Sequence, residues 1–73
     1  MGVVSGIPDV FAIRGGKVYA LELKSEIGRL SVAQERVLGE LRAAGCDAEC
    51  VRGLDAAIAW LENRGLLRGR AGY

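Results

Sequence analysis

Residues 6–24, GIPDVFAIRGGKVYALELK, decide the fold. Gly15-Gly16 is a two-residue reversal of the kind that joins antiparallel strands. Asp9–Ile13, a short apolar run, precedes it, and Lys17–Lys24 follows. In the second run Val18, Tyr19, Leu21 and Leu23 favour the extended state. Pro8 biases Ile7 toward extended geometry. A loop of two residues fixes the register. Arg14 then opposes Lys17, Ile13 opposes Val18, Ala12 opposes Tyr19, Phe11 opposes Ala20, Val10 opposes Leu21, and Asp9 opposes Glu22. Directly opposed residues have Cβ atoms about 4.5–5.5 Å apart, and like charges there repel.

The hairpin therefore sets two carboxylates against each other, on the face that also carries Phe11, Ala20, Ile13 and Val18. Glu22 and Lys24, two residues apart, share that face. One corner of the sheet thus holds two acids and an amine. A hard divalent cation would convert the repulsion into chelation; Mg²⁺ typically takes one or two carboxylates, waters and phosphate oxygens. The plainer reading makes Glu22 and Lys24 ordinary exposed strand residues and Asp9 a turn acid after Pro8. A bulge at the turn would slip the register by one and separate the pair.

Downstream, residues 26–30 read as a loop. Ser31-Val32-Ala33-Gln34 opens a helix with a capping-box pattern. Leu30, Gln34, Val37, Leu38 and Leu41 fall on one side of it, and Glu35, Arg36, Glu40 and Arg42 mostly on the other. Gln34 is thus a polar residue on an otherwise apolar face. Gly45 suits the position past the helix end. Residues 47–52 read as a third strand. A second helix opens at Leu54 or Asp55, carries Ile58, Trp60 and Leu61, and closes at Asn63-Arg64-Gly65. The order is strand, strand, helix, strand, helix. The last strand, reached through a helical crossover, should lie parallel to the second, giving a mixed sheet.

With 73 residues the chain forms one domain at most. Single cores of this size supply only about 3–5 kcal/mol. Its apolar share of 51% is generous for that length, which favours an oligomer. The net charge of +1 gives no global case for nucleic acid. No apolar run approaches the ~20 residues of a membrane span, and no signal segment opens the chain, so a cytoplasmic protein is expected. Cys46 and Cys50 would lie roughly 13 Å apart along a strand, too far to pair. They read as half-buried apolar residues, without the further soft ligands zinc needs. The absence of His removes histidine-based triads. The tail from Leu66 to Tyr73 is basic and glycine-rich, and is expected to be flexible.

Pro8-Asp9 followed by Glu22-Leu23-Lys24 on consecutive strands resembles the PD-(D/E)xK nuclease superfamily. GIPDVFAI, LELKSEIGRLS, Gln34 and AGCDAECVRGLDAAI together resemble its VRR-NUC family, over residues 6–58. That resemblance implies an α/β fold of the restriction-endonuclease-like kind: a mixed β-sheet flanked by helices, lacking the family's usual N-terminal helix and strand. MGVVSG, which precedes the hairpin segment, supplies no acid, so one sheet edge is expected to stay open. The resemblance implies Mg²⁺ or Mn²⁺ held by Asp9, Glu22 and the Leu23 carbonyl. It implies Lys24 orienting the attacking water and Gln34 supporting the site, with Arg29, Ser25 and Ser31 as nucleic-acid contacts. The implied activity is metal-dependent hydrolysis of DNA phosphodiesters, leaving 5′-phosphates. Branched or four-way junction DNA, cut by a homodimer in a bacterial or phage-infected cell, is the expected substrate. The rival readings are a catalytically reduced DNA-binding or assembly module and a purely structural dimer. In the former Arg29, Arg36, Arg52, Arg64, Arg68 and Arg70 would contact phosphates. In the latter Trp60, Leu61, Leu66 and Leu67 would form the subunit contact.

Overall fold

The hairpin forms in the expected register. A computed structural model describes residues 5–67. Strand β1 (Val10–Arg14) pairs antiparallel with β2 (Lys17–Lys24), with Arg14 opposite Lys17 and Val10 opposite Leu21. Helix α1 (Val32–Ala43) then leads to β3 (Asp47–Arg52), which runs parallel to β2 and pairs Tyr19 with Asp47 and Lys24 with Arg52. Helix α2 (Leu54–Asn63) follows. The sheet order is β1-β2-β3, so β2 is central. The chain is a small α/β protein with a three-stranded mixed sheet and two helices. Asp9 lies one residue outside β1, and Cys46 one residue outside β3.

The helices cover opposite faces of the sheet, because neighbouring residues of β2 point opposite ways. Ala20 packs with Leu38 of α1 and Ala48 of β3, flanked by Leu30, Leu41, Cys46 and Cys50. Leu21 packs with Ala57 and Trp60 of α2, flanked by Val10, Tyr19, Val51, Leu61 and Leu66. Covered on both sides, β2 buries three consecutive residues, Ala20, Leu21 and Glu22. The helical amphipathicity read from the sequence is met on α1 by Val37 and Leu38.

Ser31 caps α1 as expected. Its hydroxyl accepts from the Gln34 amide at 3.1 Å, and the Gln34 carboxamide oxygen accepts from the Ser31 amide at 2.8 Å. Ser31→Ala is expected to cost about 1 kcal/mol, a fall in melting temperature of roughly 4–8 °C for a domain of this size, read by thermal unfolding. At the far end Gly45 takes φ +95°. The Cys46 amide then reaches back to the Leu41 carbonyl at 2.9 Å, closing the helix.

The second core is reinforced by polar groups. Trp60 meets Tyr19 edge to face at 6.4 Å. Arg64 stacks on Trp60 at 3.9 Å and bonds Asp47 at 2.7 Å. Arg64, one of the arginines named for phosphate contact, is thus engaged within the fold. Trp60 is core, with Leu61 and Leu66 packed on it, rather than a free subunit contact. Leu66 also donates its amide to the Leu61 carbonyl, so this first residue of the expected tail is part of the packed structure. Arg68, Arg70 and the rest of that tail beyond Leu67 lie outside the described residues. Among the described residues no helix is long and apolar enough to cross a membrane.

Candidate functional site

Glu22 is the centre of the site. It sits on the α1 side of β2 with 3% of its surface exposed, the one charged residue in the buried set among the described residues. The same alternation that buries Ala20 under α1 carries Glu22 there. Its Oε2 accepts from the Gln34 Nε2 at 3.1 Å and lies 3.8 Å from the Lys24 ammonium. Its Oε1 is buried with no hydrogen-bond partner. Buried carboxylate oxygens are normally satisfied, and leaving one orphaned is costly.

Asp9 reaches the same corner. In a continued ladder the Leu23 amide would face Pro8, which has no N–H to return the bond. The Asp9 carboxylate takes that amide instead, Oδ2 accepting at 2.9 Å. Burial first, then the Asp9 charge, push the Glu22 carboxyl above its ordinary value of 4.5; the Lys24 ammonium opposes them in part. Asp9, Glu22, Lys24 and Gln34 are therefore brought together as the sequence suggested.

Gln34 does two jobs at once. Its oxygen closes the capping box and its nitrogen holds Glu22. The amide is thereby fixed between helix end and strand, and it leaves Glu22 Oε1 as the unclaimed oxygen. Leu23 meets the site through its amide, which donates to Asp9; its side chain is on the opposite face and partly exposed. Ser25 is exposed, and its carbonyl accepts the Gly28 amide at 3.1 Å in the turn leading to α1. Arg29 is exposed beside it, whereas Arg52 donates to the Gly28 carbonyl at 3.0 Å and braces the loop. Ser31 is committed to the cap.

Sequence reasoning read Pro8 as a backbone constraint and as part of the Pro8-Asp9 motif, but missed the contact that Gly6 makes with α1. Gly6 takes φ +86°, and a Cβ there would stand 2.6 Å from the Ala33 carbonyl carbon and oxygen and 2.8 Å from the Gln34 nitrogen. The segment before the hairpin is thus seated on the first turn of α1, with Pro8 buried. One backbone contact ties the arm that carries Asp9 to the peptide that precedes Gln34. The usable signal was the pair of φ-special residues, Gly6 and Pro8, just before an acid; no periodicity marks such a contact.

The donor set suits a hard divalent cation. It offers two oxygen acids, one with a buried unpartnered oxygen, and an amine that offsets their charge. Among the described residues no group of three or more His, Cys, Asp or Glu side chains could hold a metal ion, so protein carboxylates would supply only part of a coordination shell. No protein-family model, curated protein or solved structure matches the chain.

Proposed function

We propose that the protein is a divalent-metal-dependent endodeoxyribonuclease of the VRR-NUC kind within the PD-(D/E)xK nucleases, with a restriction-endonuclease-like mixed sheet. It would act as a homodimer on branched DNA. The observation that carries this reading is the buried, unpartnered Oε1 of Glu22 next to Asp9 and Lys24. Asp9 and Glu22 would hold Mg²⁺ or Mn²⁺, the remaining positions falling to the Leu23 carbonyl, water and substrate. When bound, such a metal supplies charge stabilisation at the phosphate and lowers the pKa of water.

The side chains have distinct tasks. Gln34 pins Glu22 Oε2 and so leaves Oε1 as the oxygen for a ligand. The Leu23 amide fixes Asp9 Oδ2. Lys24, 21% exposed at its side chain, presents its ammonium to a water or to a phosphate oxygen where negative charge develops. Arg29 and Ser25, exposed on the adjoining loop, offer backbone phosphate contacts.

Purified protein should nick or cut four-way junction DNA in Mg²⁺ or Mn²⁺ and stop when EDTA is added. Lys24→Ala should slow cutting about 10²-fold. Junction and linear DNA that both survive Mn²⁺ would refute the reading. The limited carboxylate set favours a second one, a DNA-binding module without catalysis. Its signature is salt-sensitive DNA binding that is indifferent to EDTA and unaccompanied by cleavage.

A further inference from the structure

The two edges of the sheet are treated differently by the chain. Along β3, Arg42 reaches over from α1, bonds the Ala48 carbonyl at 2.8 Å and approaches Glu49 at 3.8 Å. Asp47, Glu49 and Arg52 add charge along that strand. Such devices prevent a strand from recruiting another. Among the described residues strand β1 carries no such bond, and its one charge is Arg14. Val10, Phe11, Ala12 and Ile13 are uncharged, and Arg14 is drawn away to the Gly65 carbonyl at 2.7 Å. Among the described residues no side chain bonds the β1 backbone. Beside this edge, on the α1 face, Phe11 is 48% exposed, Ile13 77% and Val18 40%.

From this we infer that β1 is a self-pairing edge: two copies of the chain join β1 to β1 antiparallel about a two-fold axis, making one six-stranded sheet. Strand parity supports this partner. In a hairpin with a two-residue loop, Arg14, Ala12 and Val10 bond inward to β2, so the amides and carbonyls of Phe11 and Ile13 face the open edge. A two-fold centred on Ala12 brings Phe11 of one copy opposite Ile13 of the other, twice. Each pairing exchanges two backbone bonds and sets an aromatic against a β-branched side chain on the same face, a favourable cross-strand match. No charged side chain meets its like across the join. The contact is isologous, as a closed dimer requires.

This inference names the interface of the dimer in the proposed function, and it rests on that reading only for the use of the paired sites. A two-fold normal to the sheet keeps both Glu22 corners on one face. They lie at opposite ends of the join, roughly 25 Å apart by strand rise and spacing.

The test is made on the full chain without DNA or metal. Sedimentation equilibrium should give twice the chain mass, falling to once for Ile13→Lys, which places two ammonium groups beside the seam. In the wild-type protein, amide hydrogen exchange at Phe11 and Ile13 should slow with rising concentration, and it should stay fast in the variant. A wild-type monomer at hundreds of micromolar overturns the inference. So does a dimer whose Phe11 and Ile13 amides exchange freely, the result expected for face-to-face packing or for an edge reserved for some other polypeptide. A protected dimer that cuts no DNA would instead count against the nuclease reading alone.

Discussion

Glu22→Gln is expected to stabilise the metal-free protein and to lower metal-dependent cleavage by at least about 10²–10³-fold. In the parent a buried carboxylate faces Asp9 with one oxygen unsatisfied. The carboxamide keeps the shape. Its oxygen can still accept from Gln34, and its nitrogen can donate toward Asp9, turning a repulsion into a hydrogen bond. The pH dependence follows from the raised Glu22 pKa. A carboxyl that holds its proton more tightly when folded adds stability below the unfolded value of 4.5 and loses it as pH rises past the folded value. The parent should therefore lose stability above about pH 4.5 through this group, and the Gln variant should lack that slope. Mg²⁺ or Mn²⁺ should reverse the ranking, since saturation at a hundred times Kd adds about 2.7 kcal/mol to the parent alone. Urea unfolding across pH, with and without Mn²⁺, reads all three effects. A Gln variant less stable than the parent in EDTA, or a parent indifferent to metal, would remove the chelation argument.

Gly6→Ala should damage the site while sparing the sheet. The left-handed φ alone costs a residue with a Cβ about 1–2 kcal/mol. The added methyl would also stand 2.6 Å from backbone atoms of Ala33, which cannot rotate away as a side chain could. Together these should cost about 2–3 kcal/mol, roughly half of what a core of this size supplies, or else the arm lifts from α1. Either way Asp9 loses its seat. Hydrogen exchange separates this from general unfolding: the Leu23 amide, which has Asp9 as its acceptor, should exchange fast, while amides of β2 bonded to β3 stay protected. Unchanged exchange at Leu23 would show that the arm is not held by this contact.

Much of this arrangement could be read from residues alone, because its determinants are local. Gly15-Gly16 forces the reversal, a two-residue loop leaves one register, and alternation then puts Glu22 with Lys24. The Ser31 cap and Gly45 mark α1 just as directly. What stayed hidden depends on chain segments meeting from afar. Nothing near Glu22 signals that it is almost fully covered, since its cover comes from α1. Nothing near Arg64 announces that its guanidinium lies over Trp60 and against Asp47. Gly6 gave no sign of its role because its partner, the Ala33 peptide, lies beyond the whole hairpin along the chain. Asp9 slipped just outside β1 because Pro8 cannot continue the ladder, and that is what frees its carboxylate to turn inward.

The Arg42 bond to the Ala48 carbonyl has a consequence for how far association can run. A unit able to recruit a neighbour on both flanks would grow without end, one copy after another, into fibres. Here one flank is stoppered by a guanidinium, so a pair joined through β1 would have no second place to add a third copy. Concentrating the protein should yield a species of finite size rather than a gel, and Arg42→Ala is the change that would open the route to polymers.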